Sequence, residues 1–149
     1  MELKVLLKQL GDDTGLGELT LDEAETCTIL VDEMKVSMIH IVEGNRLLLF
    51  AEVGELAEEM CPALALAALK ANYLFRGTGG ATLSVNPETS MLCLNQSFLL
   101  EPIEYEVFIE IINGFVDTLA QWKSLLADYR PAPTASDEKE AIPSNFLKI

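Results

Sequence analysis

The chain is short of basic side chains. Ten Lys and Arg stand against 24 Asp and Glu, giving a formal net charge of −14 and a pI near 4.3. The ten form no cluster, and a protein that neutralises phosphates needs a basic stripe, so the sequence excludes a nucleic-acid binder. The acidity itself reads as solubility. There is one histidine, His40. Nucleophilic catalysis needs a base beside the nucleophile, and no Asp or Glu marks itself as an orienting partner, so His40 reads as a structural strand residue. Three cysteines, Cys27, Cys61 and Cys93, are odd in number and far apart. They lack CxxC or HxxxH spacing, which argues against a disulfide framework and a zinc site and leaves small buried apolar side chains. No apolar run is long enough to span a bilayer. The opening MELKVLLKQLGDD has no long apolar stretch with a cleavage site, so a cytosolic protein is expected. RGTGGA (76–81) follows a helix and precedes a strand, the reverse of a phosphate-cradling loop. GELAEEM and SDEKE have no ligand spacing and read as solvated faces. These absences leave no catalytic, cofactor or metal site to assign.

What the sequence has in abundance is apolar surface. Half of the 149 residues are hydrophobic and the mean hydropathy is +0.26. Residues 2–10 suit a short amphipathic helix with Leu3, Leu6, Leu7 and Leu10 on one face, ended by Gly11. TCTILVD (26–32), KVSMIHIV (35–42) and RLLLFAEV (46–53) read as strands joined by turns short enough for antiparallel hairpins. A helix follows, opening near residues 57–61 because Pro62 is tolerated only in a first turn. It closes at RGTGG, where Gly77 suits a left-handed cap. ATLSVN (81–86) and MLCLNQS (91–97) form a second hairpin. A long helix over 103–128 carries Val107, Phe108, Ile111, Ile112, Phe115, Leu119, Trp122 and Leu126 on its apolar face. The expected fold is α+β: a twisted antiparallel sheet of about five strands with three helices, in the order α-β-β-β-α-β-β-α. Residues 1–128 make the domain, and the Pro-, Ser- and charge-rich 129–149 makes a tail ending in the apolar IPSNFLKI.

The middle helix, PALALAALKANYLF (62–75), poses a problem. Lys70 and Asn72 are its only strongly polar side chains. Leu66, Leu69 and Tyr73 form one stripe; Leu64, Ala68, Ala71 and Phe75 form a second, roughly opposite. One stripe packs on the sheet. A chain this small has little left to cover the other, and a second copy, related by a two-fold axis, does so economically. The strands carry a similar surplus: Ile29 and Val31 face opposite Leu30, and Ile39 and Ile41 face opposite Met38 and Val42, where a half-wet sheet would alternate cleanly. Apolar patches beside free strand edges suit extended peptides.

The ordered set of elements, with LLKQLG, LTLDEAETCTILVDE, RLLLFAEVGELAEE, LKANYLFRGTGGATLSVNPETSMLCLNQSFLL and FVDTLAQWKSLL, resembles the class I chaperones of type III secretion, the Tir-chaperone-like group. The likeness covers residues 1–128 and is most specific over 72–87. It implies a non-enzymatic, cofactor-free homodimer in the bacterial cytoplasm. The dimer binds the N-terminal segment of a secreted effector in extended form and keeps it export-competent, with the secretion ATPase as a further partner and no membrane insertion. It implies client contacts at Leu3, Leu6, Leu7, Leu10, Leu30, Met38 and Leu47. The dimer contacts it implies, through the middle helix and a neighbouring strand, are Leu64, Ala68, Ala71, Phe75, Leu83 and Val85. Two other readings stand beside it. One is a regulatory or scaffold protein on the same fold. The other is a hotdog-like thioesterase, which would need a carboxylate or histidine on the middle helix.

Overall fold

The computed structural model describes residues 2–129. The expected tail, with its apolar IPSNFLKI end, lies outside the described residues except for Tyr129, which is buried and donates its N–H to the Leu126 carbonyl. The elements are α1 (Leu3–Thr14), β1 (Thr26–Val31), β2 (Met34–Ile41), β3 (Arg46–Glu55), α2 (Cys61–Asn72), a 3-10 turn (Tyr73–Phe75), β4 (Thr82–Val85), β5 (Met91–Leu99) and α3 (Tyr105–Asp128). The five strands make one sheet in the order β1-β2-β3-β5-β4. The class and element order are those expected. The described residues resolve into two compact units, one holding 2–51 with 95–116, the other 52–94 with 117–129.

The first unit is built on two hairpins. Thr26 pairs with Ile39 and Val31 with Met34, which leaves Asp32 and Glu33 as a two-residue turn. Both have positive φ, 49° and 68°, the backbone that matches the natural twist of the flanking strands. Period-2 alternation then sends Cys27, Ile29, Val36, Met38, Leu47 and Leu49 to the buried face. On the other face Thr28 and Leu30 are exposed, while Ile39, Leu48 and Phe50 are half-buried. Helix α1 buries Leu3, Leu6, Leu7 and Leu10, as its spacing predicts. It does not stop at Gly11. It runs to Thr14 and closes on Gly15, whose φ is 73°. Gly11 instead marks a crossing: a Cβ there would collide with the carbonyl oxygen of Gly17 as the chain doubles back along the helix. Early in α3, Tyr105, Phe108, Ile112 and Phe115 are buried, and Phe98 meets Phe108 edge-on with ring centres 6.4 Å apart. Val107, expected on the apolar face, is 48% exposed.

In the second unit α2 starts at Cys61, with Pro62 in its first turn, where a missing N–H costs nothing. Its end differs from expectation. The helix closes at Asn72, and the left-handed residues are Leu74 and Phe75, with φ of 53° and 56°. Gly77 is not left-handed. It donates its N–H to the Ala71 carbonyl at 2.9 Å, and its own carbonyl accepts the indole N–H of Trp122 at 2.9 Å. Trp122 is fully buried, with Leu119 and Leu125 beside it in sequence on the inward face of α3. Leu125, rather than Leu126, completes that face.

Candidate interaction surfaces

The two stripes of α2 separate cleanly. Leu64, Ala67, Ala68 and Ala71 are buried within the chain. Leu66, Leu69 and Tyr73 are 54%, 68% and 61% exposed, and the left-handed turn adds Leu74 and Phe75 beside them. The Arg76 guanidinium lies 5.2 Å over the Tyr73 ring. The alanines explain the sorting. Small side chains let the helix approach its own subunit closely, and the bulky leucines are left outside. Asn72 is the polar fixture of this surface. Its amide donates to the Leu83 carbonyl at 3.1 Å and accepts the Leu83 N–H at 2.9 Å. One side chain thus satisfies both backbone groups of a residue in β4, an edge of the sheet that would otherwise lie open. Val85, further along β4, is 43% exposed and extends the apolar surface.

Among the described residues, no strand pairs with the opposite edge, the outer side of β1. Asp22 covers only its start: the Thr26 N–H donates to Asp22 Oδ1 at 3.0 Å, and the Asp22 N–H donates to the Thr26 carbonyl at 2.9 Å. Strand alternation points the backbone groups of Thr28 and Leu30 the same way, away from β2. Beside them is a hollow of about 270 Å³, with apolar walls from Leu10 and Leu16, Ile29 and Leu30, and Ile109 and Val116. An unpaired strand edge beside an apolar hollow is the geometry that accepts an added strand and one of its side chains.

The site residues expected from the sequence divide accordingly. Leu10 and Leu30 line this hollow, and Leu30 is 57% exposed. Leu3 and Leu7 lie under a second, larger groove between α1 and the loop after it. Leu6, Met38 and Leu47 have no exposed surface; their positions on the buried faces of α1 and the sheet make them core. Of the expected dimer contacts, Leu64, Ala68, Ala71 and Leu83 are buried within the chain, and Phe75 and Val85 are exposed. The structure thus gives the two stripes of α2 the opposite assignments, with Leu66, Leu69 and Tyr73 outward. Sequence reasoning did not reach the role of Asn72, nor the α3 contribution to the hollow.

His40 has the orienting carboxylate that the sequence did not reveal. Its Nδ1 lies 3.0 Å from Glu25 Oε2 and its Nε2 3.2 Å from Asn45 Oδ1. Among the described residues no hydroxyl or thiol bonds to it, and the ring ties the loop before β1 to the β2–β3 turn. Burial pushes the thiols of Cys27 and Cys93 up, with Asp22 and Glu52 adding to the respective shifts, so neither is poised as a thiolate. Burial pushes the Tyr105 phenol up to about 12, and the Asp13 carboxylate acts in the same direction. Among the described residues no three His, Cys, Asp or Glu are grouped to hold a metal ion, and no helix is long and apolar enough to cross a membrane.

A solved structure of the ExsC–ExsE complex matches this fold with a TM-score of 0.70 and 25% identity, covering 85% of this chain and 97% of its own. The Yersinia pestis type III secretion chaperone SycH, in complex with a stable fragment of YscM2, matches with a TM-score of 0.64 and 17% identity over 80% and 98% of the two chains; that likeness is one of fold. A Tir chaperone from Citrobacter freundii is 25% identical over 119 residues, 78% of this chain and 76% of the relative. The model of the Tir chaperone protein (CesT) family matches residues 5–123. With well over half its length inside that match and its fold shared with a secretion chaperone, the chain belongs to the Tir chaperone protein (CesT) family.

Proposed function

We propose that this protein is a cytoplasmic chaperone of type III secretion that binds the N-terminal segment of a secreted effector in extended form. It holds that segment unfolded until the export machine, its ATPase included, takes it over. The observation that carries the reading is the open edge of β1 beside its apolar hollow. An extended client supplies the backbone hydrogen bonds that Thr28 and Leu30 lack among the described residues, and alternate client side chains enter the hollow. Holding a client this way needs no bond-making chemistry, which agrees with a hollow lined mostly by leucines, isoleucines and valines, with Thr14, Asp32 and Asn113 among them. The working unit is a homodimer through the outward stripe of α2, Leu66, Leu69 and Tyr73, with Leu74, Phe75 and Val85 at its margin. A stable dimer of this kind buries roughly 2,000 Å² or more.

Co-expression with the N-terminal segments of effectors from the same secretion system tests the reading. A stable co-purifying complex is expected for at least one, weakened by Leu30→Asp, which sets a charge beside the hollow. No complex with any effector of that system would contradict it.

A further inference from the structure

The larger groove of the first unit has a chemistry of its own. After α1 the chain turns at Gly15 and runs back along the helix through residues 17–22. The groove, open on one side, has a volume of about 1,140 Å³, more than the ~300–1,000 Å³ usual for small-molecule sites. Its walls are fixed from three sides. Gly11 lets Gly17 lie against the helix. Asp22 Oδ1 accepts the N–H groups of Ala24 and Thr26 at 2.8 and 3.0 Å. His40 bridges Glu25 and Asn45. The groove is therefore formed before any partner arrives. Leu3 and Leu7 lie in its floor, and Leu19 and Leu21 are half-buried along its wall.

Its rim is strongly one-signed. Glu2, Asp12, Glu18, Asp22, Glu25 and Glu101 line it, against Lys4 and Lys8. Lys8 is already committed to Asp12 at 2.9 Å, and His40 to Glu25 at 3.0 Å. Among the described residues no ion pair neutralises Glu2, Glu18, Asp22 or Glu101. A concave, preformed surface with leucines below and carboxylates around excludes most occupants. A second copy brings the same surplus of negative charge, and a nucleic acid or an anionic lipid surface is repelled. What complements it is a peptide whose apolar side chains are flanked by arginine or lysine. We propose that this groove docks such a basic, leucine-containing segment of the client. The idea rests on the chaperone reading above and specifies the client's chemistry at a place separate from the β1 edge.

The test uses three synthetic peptides of equal length with the same leucines, carrying Arg, Gln or Glu at the intervening positions. Binding to the full chain is read by fluorescence anisotropy. The Arg peptide is expected to bind at least ~10-fold tighter than the others at about 50 mM salt and to lose most of that margin at about 500 mM, where charges are screened within a few ångströms. Glu2→Lys/Glu18→Lys/Glu101→Lys should abolish the preference with the circular-dichroism spectrum unchanged. These three carboxylates anchor no part of the loop. Glu106→Lys/Glu110→Lys/Asp117→Lys, an equal reversal on the exposed face of α3, should retain it. Equal binding of the three peptides overturns the proposal. So does equal loss in both triple variants, which would mean attraction to acidity at large. If an effector segment co-purifies with wild type and with the groove variant alike, the chaperone reading stands and the groove has no part in it.

Discussion

Gly11 shows how one residue can be misread and still be decisive. Glycine is the poorest helix former after proline, costing about 1 kcal/mol against alanine in a helix interior. From sequence alone it marks a helix end. The structure keeps it mid-helix because the Gly17 carbonyl occupies the space of a side chain, and only the folded loop reveals that. Gly11→Ala should therefore destabilise the protein by about 1–3 kcal/mol despite its better propensity, read as a lower denaturation midpoint. A stabilised variant would mean the loop does not lie where described. Asn72 was visible as a polar residue in an apolar helix, but its role depends on β4 arriving beside it. Asn72→Ala leaves both Leu83 backbone groups without that partner at a nearly buried site and should cost about 1–3 kcal/mol. Tyr105 gives a pH signature. Its phenol is held above its ordinary value of 10.0, at about 12, so the folded state retains a proton that the unfolded chain has lost. This group leaves stability unchanged well below pH 10 and lowers it as the pH rises from 10 toward 12. Tyr105→Phe should remove that part of the alkaline loss in a series of melting temperatures.

Elements were more legible than their ends. The strands and the long helix declare themselves through alternation and a 3.6-residue spacing, because burial on one face enforces both. Ends depend on individual backbone contacts. Helix α2 closes on two left-handed apolar residues, Leu74 and Phe75, where a glycine two residues on offered a simpler stop. The two-sidedness of α2 was readable from its composition, since no face offers enough polar groups to meet water. Which side turns inward was not, because that is decided by how closely alanines let the helix approach its own subunit. An inward stripe of Leu64, Ala67, Ala68 and Ala71 makes a clear prediction for labelling. Cys61, half-exposed at the start of α2, should react quickly with a thiol reagent. Cys27 and Cys93, buried and with their thiols pushed up, should react only on unfolding. Fast reaction of all three in the native protein would contradict the described packing.

At the scale of the whole molecule, each edge of the sheet is treated differently. Asn72 occupies the β4 edge and leaves apolar surface next to it. Asp22 covers only the first residue of the β1 edge, and an apolar hollow lies beside the rest. That division is what the proposed function requires, with its own copy met by one unit and an extended client by the other. Both proposed contacts would draw on apolar area, worth about 25 cal/mol per Å² before association costs are subtracted. The acidic surface keeps such a protein soluble while it waits. The central claim is that the outward stripe of α2 needs a second copy of the chain. Sedimentation velocity at micromolar concentration tests it directly, on wild type beside Leu69→Glu. Wild type should sediment at twice the 16.4 kDa chain mass, and the variant, folded by circular dichroism, should move to the monomer, a loss of about 2 kcal/mol or more. A well-folded wild-type monomer at that concentration would contradict the account.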